Sequence, residues 1–370
     1  RVQQLHVRAF FQKHAEAHHG RARVDAQDDA FGRGGHSGTF GRLLRNHREA
    51  TVSRRKLLFI RWGVFIAASL LLYVRLTRRA GMHYPWRLWW NSGSSAPWGA
   101  LAIVALLMVL NWGIEAWKWR CLVRPVQHLG FARAFTATVA GTTIGLITPN
   151  RVGEFAGRVL FLDPEHRVQG SFATLLGSIA QFVVTLLVGG LALTFNNYLH
   201  FSSAEPSNAW NVVVWSALSI GCAAVFLFFS PGAFARVLLA IPWLKRFERH
   251  AHVLDSFSRA ELVRIFLLSL LRYGVFTVQF ALVLVAVAHV EAGEAMMSVP
   301  VVFLITTLVP TMALTELGVR GSVATTFITG DHAGILVSTV LIWLINLVLP
   351  AAVGGIVLLV ARIRTSGSAR

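Results

Sequence analysis

One apolar stretch, residues 131–162, is interrupted near its middle and carries charges in its second half. Its first part, 134–147, is rich in small residues and is followed by the helix breaker Pro149. The run that follows is otherwise apolar enough for a membrane, but it contains three charged residues: Arg151, Glu154 and Arg158. A charge at the centre of a spanning helix costs at least about 2.5–3.5 kcal/mol, so a charge cluster beside a helix break indicates a functional site.

A second apolar stretch, residues 298–329, has the same features. Pro310 interrupts it, and Glu316 and Arg320 follow the interruption. In both stretches a glutamate precedes an arginine by four positions, a spacing that lets the two side chains pair on one helical face. We expect the two interrupted stretches to face each other and to form the working site.

The composition sets the class of protein. Of the 370 residues, 55% are hydrophobic and 14% are charged, and mean hydropathy is +0.57. A soluble domain has about 25% charged residues, so the chain is predicted to be a polytopic membrane protein. The formal net charge of +18 then indicates basic cytosolic loops on anionic lipid rather than nucleic-acid binding. The two cysteines and the scattered histidines have no metal-ligand spacing, and we expect no metal and no cofactor.

The sequence predicts an all-α integral membrane protein with about six full spans and two re-entrant segments. Residues 1–56 are expected to be a disordered basic tail, 57–364 the transmembrane domain and 365–370 a short tail. Basic residues at 230–261 favour a segment lying on the inner membrane surface. The predicted spans are 57–74, 98–116, 171–195, 210–229, 262–290 and 335–360.

The protein is predicted to lie in the cell inner membrane. The positive charge of its loops predicts that both termini are on the cytoplasmic side. With that topology, 131–162 enters and leaves on the cytoplasmic side, and 298–329 does so on the outer side. Irregular backbone at membrane depth is tolerated only where protein or a wet cavity surrounds it. Two interrupted segments that enter from opposite faces are the sequence pattern of an inverted-repeat transporter.

The first break has the chemistry of an anion site. Pro149 disfavours helix at Thr148, and Asn150 is a good N-cap residue, so a new helix is expected to start there. Its N-terminal dipole and the Arg151 guanidinium suit a lipid phosphate. Gly153 permits close approach of a helix or a ligand.

The same residues have plainer interpretations. Arg151, Glu154 and Arg158 could be an internal ion cluster that holds a hairpin together, and Glu316 with Arg320 could be another. Glu115 and Arg272 are expected to extend toward the membrane surface from their spans, and Asn346 to make an interhelical hydrogen bond. Gly141 and Gly145 are expected to pack helices.

The strings TPNRVGEFAGRVLFL and VPTMALTELGVRGSVA resemble motifs of the lysylphosphatidylglycerol synthase transmembrane-region family of flippase-like proteins. The first motif of that family, T-P-x-R-x-G-E, corresponds to Thr148, Pro149, Arg151, Gly153 and Glu154. The second, glycine-rich motif corresponds to Glu316, Gly318, Arg320 and Gly321. It departs from the common form, because Thr315 and Glu316 stand in place of two glycines and Gly321 in place of an acidic residue.

The resemblance covers residues 57–364 and implies the lipid-handling membrane part without the aminoacyl-transfer domain, so we favour a non-enzymatic role and keep an enzyme as the alternative. The working hypothesis is a translocase that moves an anionic phospholipid or a polyprenyl phosphate between leaflets, and that could form a homo-oligomer. Phosphate would be bound by Thr148, Asn150, Arg151, Gly153, Arg158 and Arg320, with Glu154 and Glu316 as charge partners or proton carriers. The alternatives are a membrane enzyme or accessory subunit in polyprenyl-phosphate sugar transfer, and a scaffold.

Overall fold

The structure is a computed structural model that describes residues 96–148, 151–200, 208–242, 245–309 and 313–360. The predicted span 57–74 and the predicted tails, 1–56 and 365–370, lie outside these residues, so those boundaries stay predictions. Every regular element in the described ranges is a helix, which confirms the all-α class.

Twelve α-helices occur in the described ranges. They are α1 (Ala96–Val123), α2 (Phe131–Ile147), α3 (Val152–Val159), α4 (Arg167–His200), α5 (Asn208–Phe228), α6 (Pro231–Leu239), α7 (Glu248–Ala251), α8 (Arg259–Ala288), α9 (Ala292–Leu308), α10 (Ala313–Phe327), α11 (His332–Trp343) and α12 (Leu349–Val360). A π-helical turn, Leu344–Val348, joins α11 to α12. Short 3₁₀ turns cover Pro164–His166, Lys245–Phe247 and His252–Ser256.

Four helical segments in the described ranges are long and apolar enough to cross a membrane: Trp98–Val123, Pro164–Phe195, Arg259–Ala288 and His332–Leu359. Each corresponds to a predicted span, and together they confirm a polytopic membrane protein. The predicted span 210–229 reaches this standard only when α5 and α6 are counted together, with a bend of 105° between them. The bend occurs at Ser230, where Pro231 begins the next helix.

The first interrupted segment is an antiparallel helical hairpin of α2 and α3. The two helices touch through glycines: a Cβ atom added to Gly157 would lie 2.6 Å from the Gly141 Cα atom. Nearer the turn, Gly145 packs against Glu154. The predicted packing role of Gly141 and Gly145 is therefore present, because a larger side chain at either position would push the glutamate-bearing helix away.

The second interrupted segment is a hairpin of α9 and α10, and its open end is held by hydrogen bonds. The Glu294 carboxylate, near the start of α9, accepts from the Thr329 backbone N–H at 2.7 Å and from its hydroxyl at 2.6 Å. Helix α9 begins earlier than predicted because the Glu291 side chain caps it, accepting from the Glu294 N–H at 2.9 Å.

The order of one long helix, one broken hairpin and one further spanning segment occurs twice, first in α1–α4 and then in α8–α12. Equivalent contacts recur: α2 packs against α12, and α9 packs against α4. At the first contact, the Thr143 hydroxyl donates to the Ala351 carbonyl at 2.6 Å. At the second, Gly189 lies against Pro300 and Leu304.

The two leading helices of these repeats, α1 and α8, pack against each other in opposite directions. Near the start of α1, the Val104 carbonyl accepts from the Gln279 side chain, which lies near the end of α8, at 2.9 Å. Farther along α1, Trp112 lies under Arg272, which precedes Gln279 on α8. The two halves therefore have opposite orientations, as expected of an inverted repeat.

The contact between α2 and α12 gives a stability prediction. A Cβ atom at Gly354 would lie 2.0 Å from the Val139 carbonyl oxygen, whereas one at Gly113 would meet nothing within 4 Å. We expect Gly354→Ala to lower the apparent Tm in detergent by the equivalent of about 1–3 kcal/mol of overpacking. The control Gly113→Ala should be neutral or stabilising, because alanine is favoured over glycine in a helix by about 1 kcal/mol. Equal Tm values for the two variants would contradict this packing.

Candidate functional site

A cavity of about 340 Å³ lies where α1, α4 and α8 meet the two hairpins and the π-helical turn. Its walls carry an unusual number of basic side chains for the interior of a membrane protein: Lys118, Arg151, Arg158, Arg272 and Arg320. They come from separate parts of the sequence and are brought together by the inverted arrangement of the two halves.

Glu115 lies at the centre of one group of these charges. Its carboxylate is 2.8 Å from the Lys118 ammonium nitrogen, one turn along α1. It also lies 2.7 Å from Arg158 of the first hairpin and 3.3 Å from Arg272 of α8. The Glu115 and Lys118 residues are only 5% and 1% exposed. One carboxylate thus draws three cations from three helices to one point in the bundle.

Arg158 joins this group to the first hairpin. One of its terminal nitrogens donates to Glu115 and the other donates to Glu154, one turn earlier on α3. Both halves of the guanidinium fork are therefore engaged, and the residue is 5% exposed. A guanidinium that is fixed by two carboxylates is well suited to hold α3 against α1.

A second group of charges links the two hairpins. Arg151, at the turn of the first hairpin, donates to the Glu316 carboxylate of α10 at 2.9 Å. The other oxygen of Glu316 accepts from Arg320 at 2.5 Å. The Arg151 side chain is 40% exposed, whereas those of Glu316 and Arg320 are 14% and 12% exposed. Arg151 is therefore the most accessible charge of the cluster.

The backbone at Arg151 places that side chain in the turn. Its φ of 55° lies in the left-handed region, which costs about 1 kcal/mol or more for a residue with a Cβ atom. The first turn of α3 is also tied to the end of α2, because the Thr148 hydroxyl accepts from the Gly153 N–H at 2.8 Å. Local strain at this position is characteristic of a site where a specific side-chain direction is required.

The charges do not balance. Five cations line the cavity, and three carboxylates, Glu115, Glu154 and Glu316, pair with them, leaving a formal excess of two positive charges among the described residues. Unpaired charge inside a membrane protein is costly. An anion in the cavity would remove that cost.

Several hydrogen-bond donors on the lining residues have no partner within the described ranges. They are Nε of Arg158 and of Arg320, Nε1 of Trp112 and of Trp343, and Nδ2 of Asn346. Buried polar groups are rarely left without partners, so the residues around the cavity retain unused hydrogen-bond donors. An anion with several oxygens, such as phosphate, matches a wall that offers donors.

Aromatic rings support the two arginines that flank the cavity. The Arg272 guanidinium lies 5.7 Å from the centre of the Trp112 ring, and the Arg320 guanidinium lies 5.6 Å from that of Phe303. Cation–π contacts of this kind stabilise a guanidinium without neutralising it. The positive charge therefore stays available to a ligand.

The site residues predicted from the sequence lie in different places in the structure. Arg151, Glu154, Arg158 and Arg320 line the cavity, and Glu316 contacts two of them from behind the lining. Thr148 and Gly153 contact each other between the two helices of the first hairpin: the Thr148 hydroxyl accepts from the Gly153 N–H, and Gly153 also packs against Ile144. Their predicted role in phosphate binding stays a prediction. Asn150 lies outside the described residues, and the N-cap of α3 is Arg151, one residue later than predicted.

The expected positions of Glu115 and Arg272 were wrong. Neither extends to the membrane surface; they pair with each other beside the cavity. The error arose because α1 continues to Val123, so its apolar part alone did not define how deep Glu115 lies. Lys118 was missed entirely, although its position one turn after Glu115 is a pairing signal.

Asn346 makes the interhelical contact expected of it. Its side-chain oxygen accepts from Asn111 of α1 at 3.5 Å, and the residue is 4% exposed. Asn111 itself was not identified from the sequence.

Loss of the central carboxylate should destabilise the protein. We expect Glu115→Gln to cost about 3–5 kcal/mol, because two buried cations and the partly buried Arg272 lose their shared partner. The expected readout is a reduced yield of monodisperse protein and a lower apparent Tm. The double variant Glu115→Gln/Lys118→Gln should recover part of the loss, since it removes one of the stranded cations.

The matched control for this prediction is Glu165→Gln, whose side chain is 77% exposed and should tolerate the change. If Glu115→Gln and Glu165→Gln have the same Tm, Glu115 does not organise the cluster.

Comparison with known proteins identifies the family to which the chain belongs. No curated protein matches the chain. The family model of the lysylphosphatidylglycerol synthase TM region matches residues 60–354, which include every charge of the cavity. The chain therefore belongs to the lysylphosphatidylglycerol synthase TM region family, as its two motifs predicted, and is an integral membrane protein of lipid metabolism or transport.

Proposed function

We propose that this protein binds the phosphate of an anionic lipid in the central cavity and moves that lipid between leaflets. The observation that carries the proposal is the excess of two positive charges in a cavity enclosed by membrane-spanning helices. A lipid phosphate supplies compensating negative charge while its tails remain in the bilayer. Membership of a lipid-handling family supports a lipid as the source of that anion.

The two groups of charges are suited to different roles. Arg158 is held by two carboxylates and is nearly fully buried, which suits it to fix the position of the first hairpin. Among the described residues, Arg151 pairs with Glu316, and its side chain is 40% exposed, which suits it to meet an entering phosphate. Arg320 shares Glu316 with Arg151, so both guanidiniums would bind the phosphate together.

Glu316 occupies the two guanidiniums that a phosphate would use. Its carboxylate therefore stands where a second anion could bind, and a lipid phosphate would compete with it. Release of the Arg151–Glu316 bond would separate the turn of the first hairpin from the second hairpin. The binding of the lipid headgroup is thereby coupled to a change at the contact between the two halves.

The opposite orientations of the two halves suit them to transport. One hairpin comes from each half, and the two meet at the cavity. Equivalent movements of either hairpin would open the same site toward opposite leaflets, which is the alternating-access principle of inverted-repeat transporters. The proposal places the protein in the cell inner membrane with both termini in the cytoplasm, on the basis of the charge bias of its loops.

The competing proposal of a membrane enzyme in polyprenyl-phosphate sugar transfer requires a carboxylate that is available as a base. Glu115, Glu154 and Glu316 all pair with at least one cation. A Glu154→Gln variant that abolishes glycosyl transfer while retaining lipid binding would favour the enzyme over the translocase.

The test of transport uses vesicles that contain the protein and a fluorescent phosphatidylglycerol. A membrane-impermeant quencher reports how fast the label crosses between leaflets. We expect Arg151→Ala/Arg320→Ala to slow protein-dependent crossing about tenfold or more, because each lost charge-assisted bond is worth about 1.5–3 kcal/mol.

The control variant is Arg236→Ala, which removes an exposed arginine of α6 and should leave the rate unchanged. Protein-free vesicles give the background rate. Full transport by a correctly folded Arg151→Ala/Arg320→Ala protein would contradict the proposed site.

A further inference from the structure

A second basic cavity lies on the outside of α1, away from the central one. Its volume is about 320 Å³, and its basic lining residues are Arg120, Arg124, His128 and Arg264. Trp117 and Cys121 complete the wall on α1. With 3.6 residues per helical turn, positions 117, 120 and 121 share one face of α1, whereas 115 and 118 lie on another. Arg124 lies in the turn that directly follows α1. The two cavities are therefore separate sites.

The charge of this second cavity is not compensated by its own walls. Within the described part of the chain, its lining includes three arginines and a histidine but no carboxylate. The nearest acidic residue along α8, Glu261, is occupied in a capping box with Ser258. A cavity with at least three positive charges and no acidic residue in its lining is suited to an anion.

One of the arginines is held in position before any ligand arrives. The Arg120 Nε atom donates to the Leu129 carbonyl at 3.0 Å, and its guanidinium stacks over the Trp117 ring at 5.1 Å. These contacts leave its terminal nitrogens for another group. A guanidinium that is oriented by its neighbours loses less entropy when it binds phosphate.

The surroundings indicate that the anion belongs to a lipid. Trp117 and Phe131 are 45% and 41% exposed, and their ring centres lie 6.1 Å apart beside the cavity. Exposed indoles next to arginines are typical of the membrane–water interface, where lipid headgroups lie. Arg124, in the turn that follows α1, and Arg264, on α8, are both exposed beside the cavity.

We propose that this cavity, lined by Arg120, Arg124, His128 and Arg264, is a second binding site that takes the headgroup phosphate of an anionic lipid from the adjoining leaflet. The sequence places this end of α1 on the cytoplasmic side, so the lipid comes from the inner leaflet. This site is distinct from the transport cavity and does not depend on transport. Its occupant would hold α1 and α8 together at the membrane surface.

The chain provides its own reporter for this site. Cys121 lines the cavity, and the sequence has just one other cysteine, Cys222, which is exposed on α5. A Cys222→Ala protein therefore carries a single thiol, located beside the proposed phosphate. We expect its labelling by an uncharged maleimide to be several-fold slower in vesicles containing phosphatidylglycerol than in vesicles of phosphatidylcholine alone.

For each variant, the labelling rate with phosphatidylglycerol is compared with the rate of the same variant without it. Rates are not compared between variants, because Arg264 also contacts the Cys121 thiol and its removal changes the surroundings of that thiol. In Cys222→Ala/Arg124→Ala/Arg264→Ala, phosphatidylglycerol should no longer slow the labelling. A matched protein with Arg236→Ala/Arg249→Ala loses the same number of exposed charges elsewhere and should keep the protection. This control separates binding in the cavity from the general effect of an anionic surface.

Two results would overturn the proposal. If protection by phosphatidylglycerol persists in the Arg124→Ala/Arg264→Ala protein, the cavity does not hold the lipid phosphate. If glycerol phosphate added to phosphatidylcholine vesicles protects Cys121 equally well, the site takes a soluble phosphate and the lipid assignment is wrong. Size-exclusion profiles and Tm values show whether the variants are folded.

Discussion

The cluster around Glu115 is the interaction on which the rest of the structure depends. Burying one charge in a membrane protein is costly, and here Glu115, Lys118 and Arg158 are buried, beside the partly buried Arg272, because each compensates another. The cluster fixes α1, α8 and the first hairpin at one point. The charges do not cancel, because cations outnumber carboxylates around Glu115 and also in the second group, which has two arginines and one glutamate. The same set of side chains thus serves both parts of the proposal: the ion pairs hold the helices together, and the excess of positive charge would suit an anion.

The inverted arrangement explains how such a cluster can be assembled from distant parts of the sequence. Each half contributes one long helix and one broken hairpin, and the antiparallel packing of α1 on α8 brings the hairpins to the same cavity. Glycines at the helix contacts permit this approach, as the closeness of Gly354 to Val139 and of Gly157 to Gly141 demonstrates. The charges of the two hairpins can lie inside the bundle because Arg151 of one half pairs with Glu316 of the other.

Much of this architecture could be predicted from the sequence, because apolar length and helix breakers act locally. The breaks near Pro149 and Pro310, the paired glutamates and arginines after them, and the packing of Gly141 followed from short-range rules. The role of Glu115 did not, since its partners Arg158 and Arg272 are distant in sequence and become neighbours only through the packing of the two halves. Asn111 was missed for the same reason, because its partner Asn346 is distant in sequence, whereas Lys118 was missed although its spacing from Glu115 is a local pairing signal. The bond between Arg151 and Glu316 likewise depends on which residues of the two hairpin turns meet.

The central claim is that the positive cavity between the hairpins binds an anionic lipid. The most direct measurement is native mass spectrometry of protein released from mild detergent, with the retained lipid identified by fragmentation. Arg124→Ala/Arg264→Ala protein serves as the background, so that the surface cavity does not contribute. The account predicts one anionic phospholipid or polyprenyl phosphate per protein, lost when Arg151→Ala and Arg320→Ala are added. Retention of that lipid in the combined variant, or an absence of any anionic lipid from the background protein, would contradict the account.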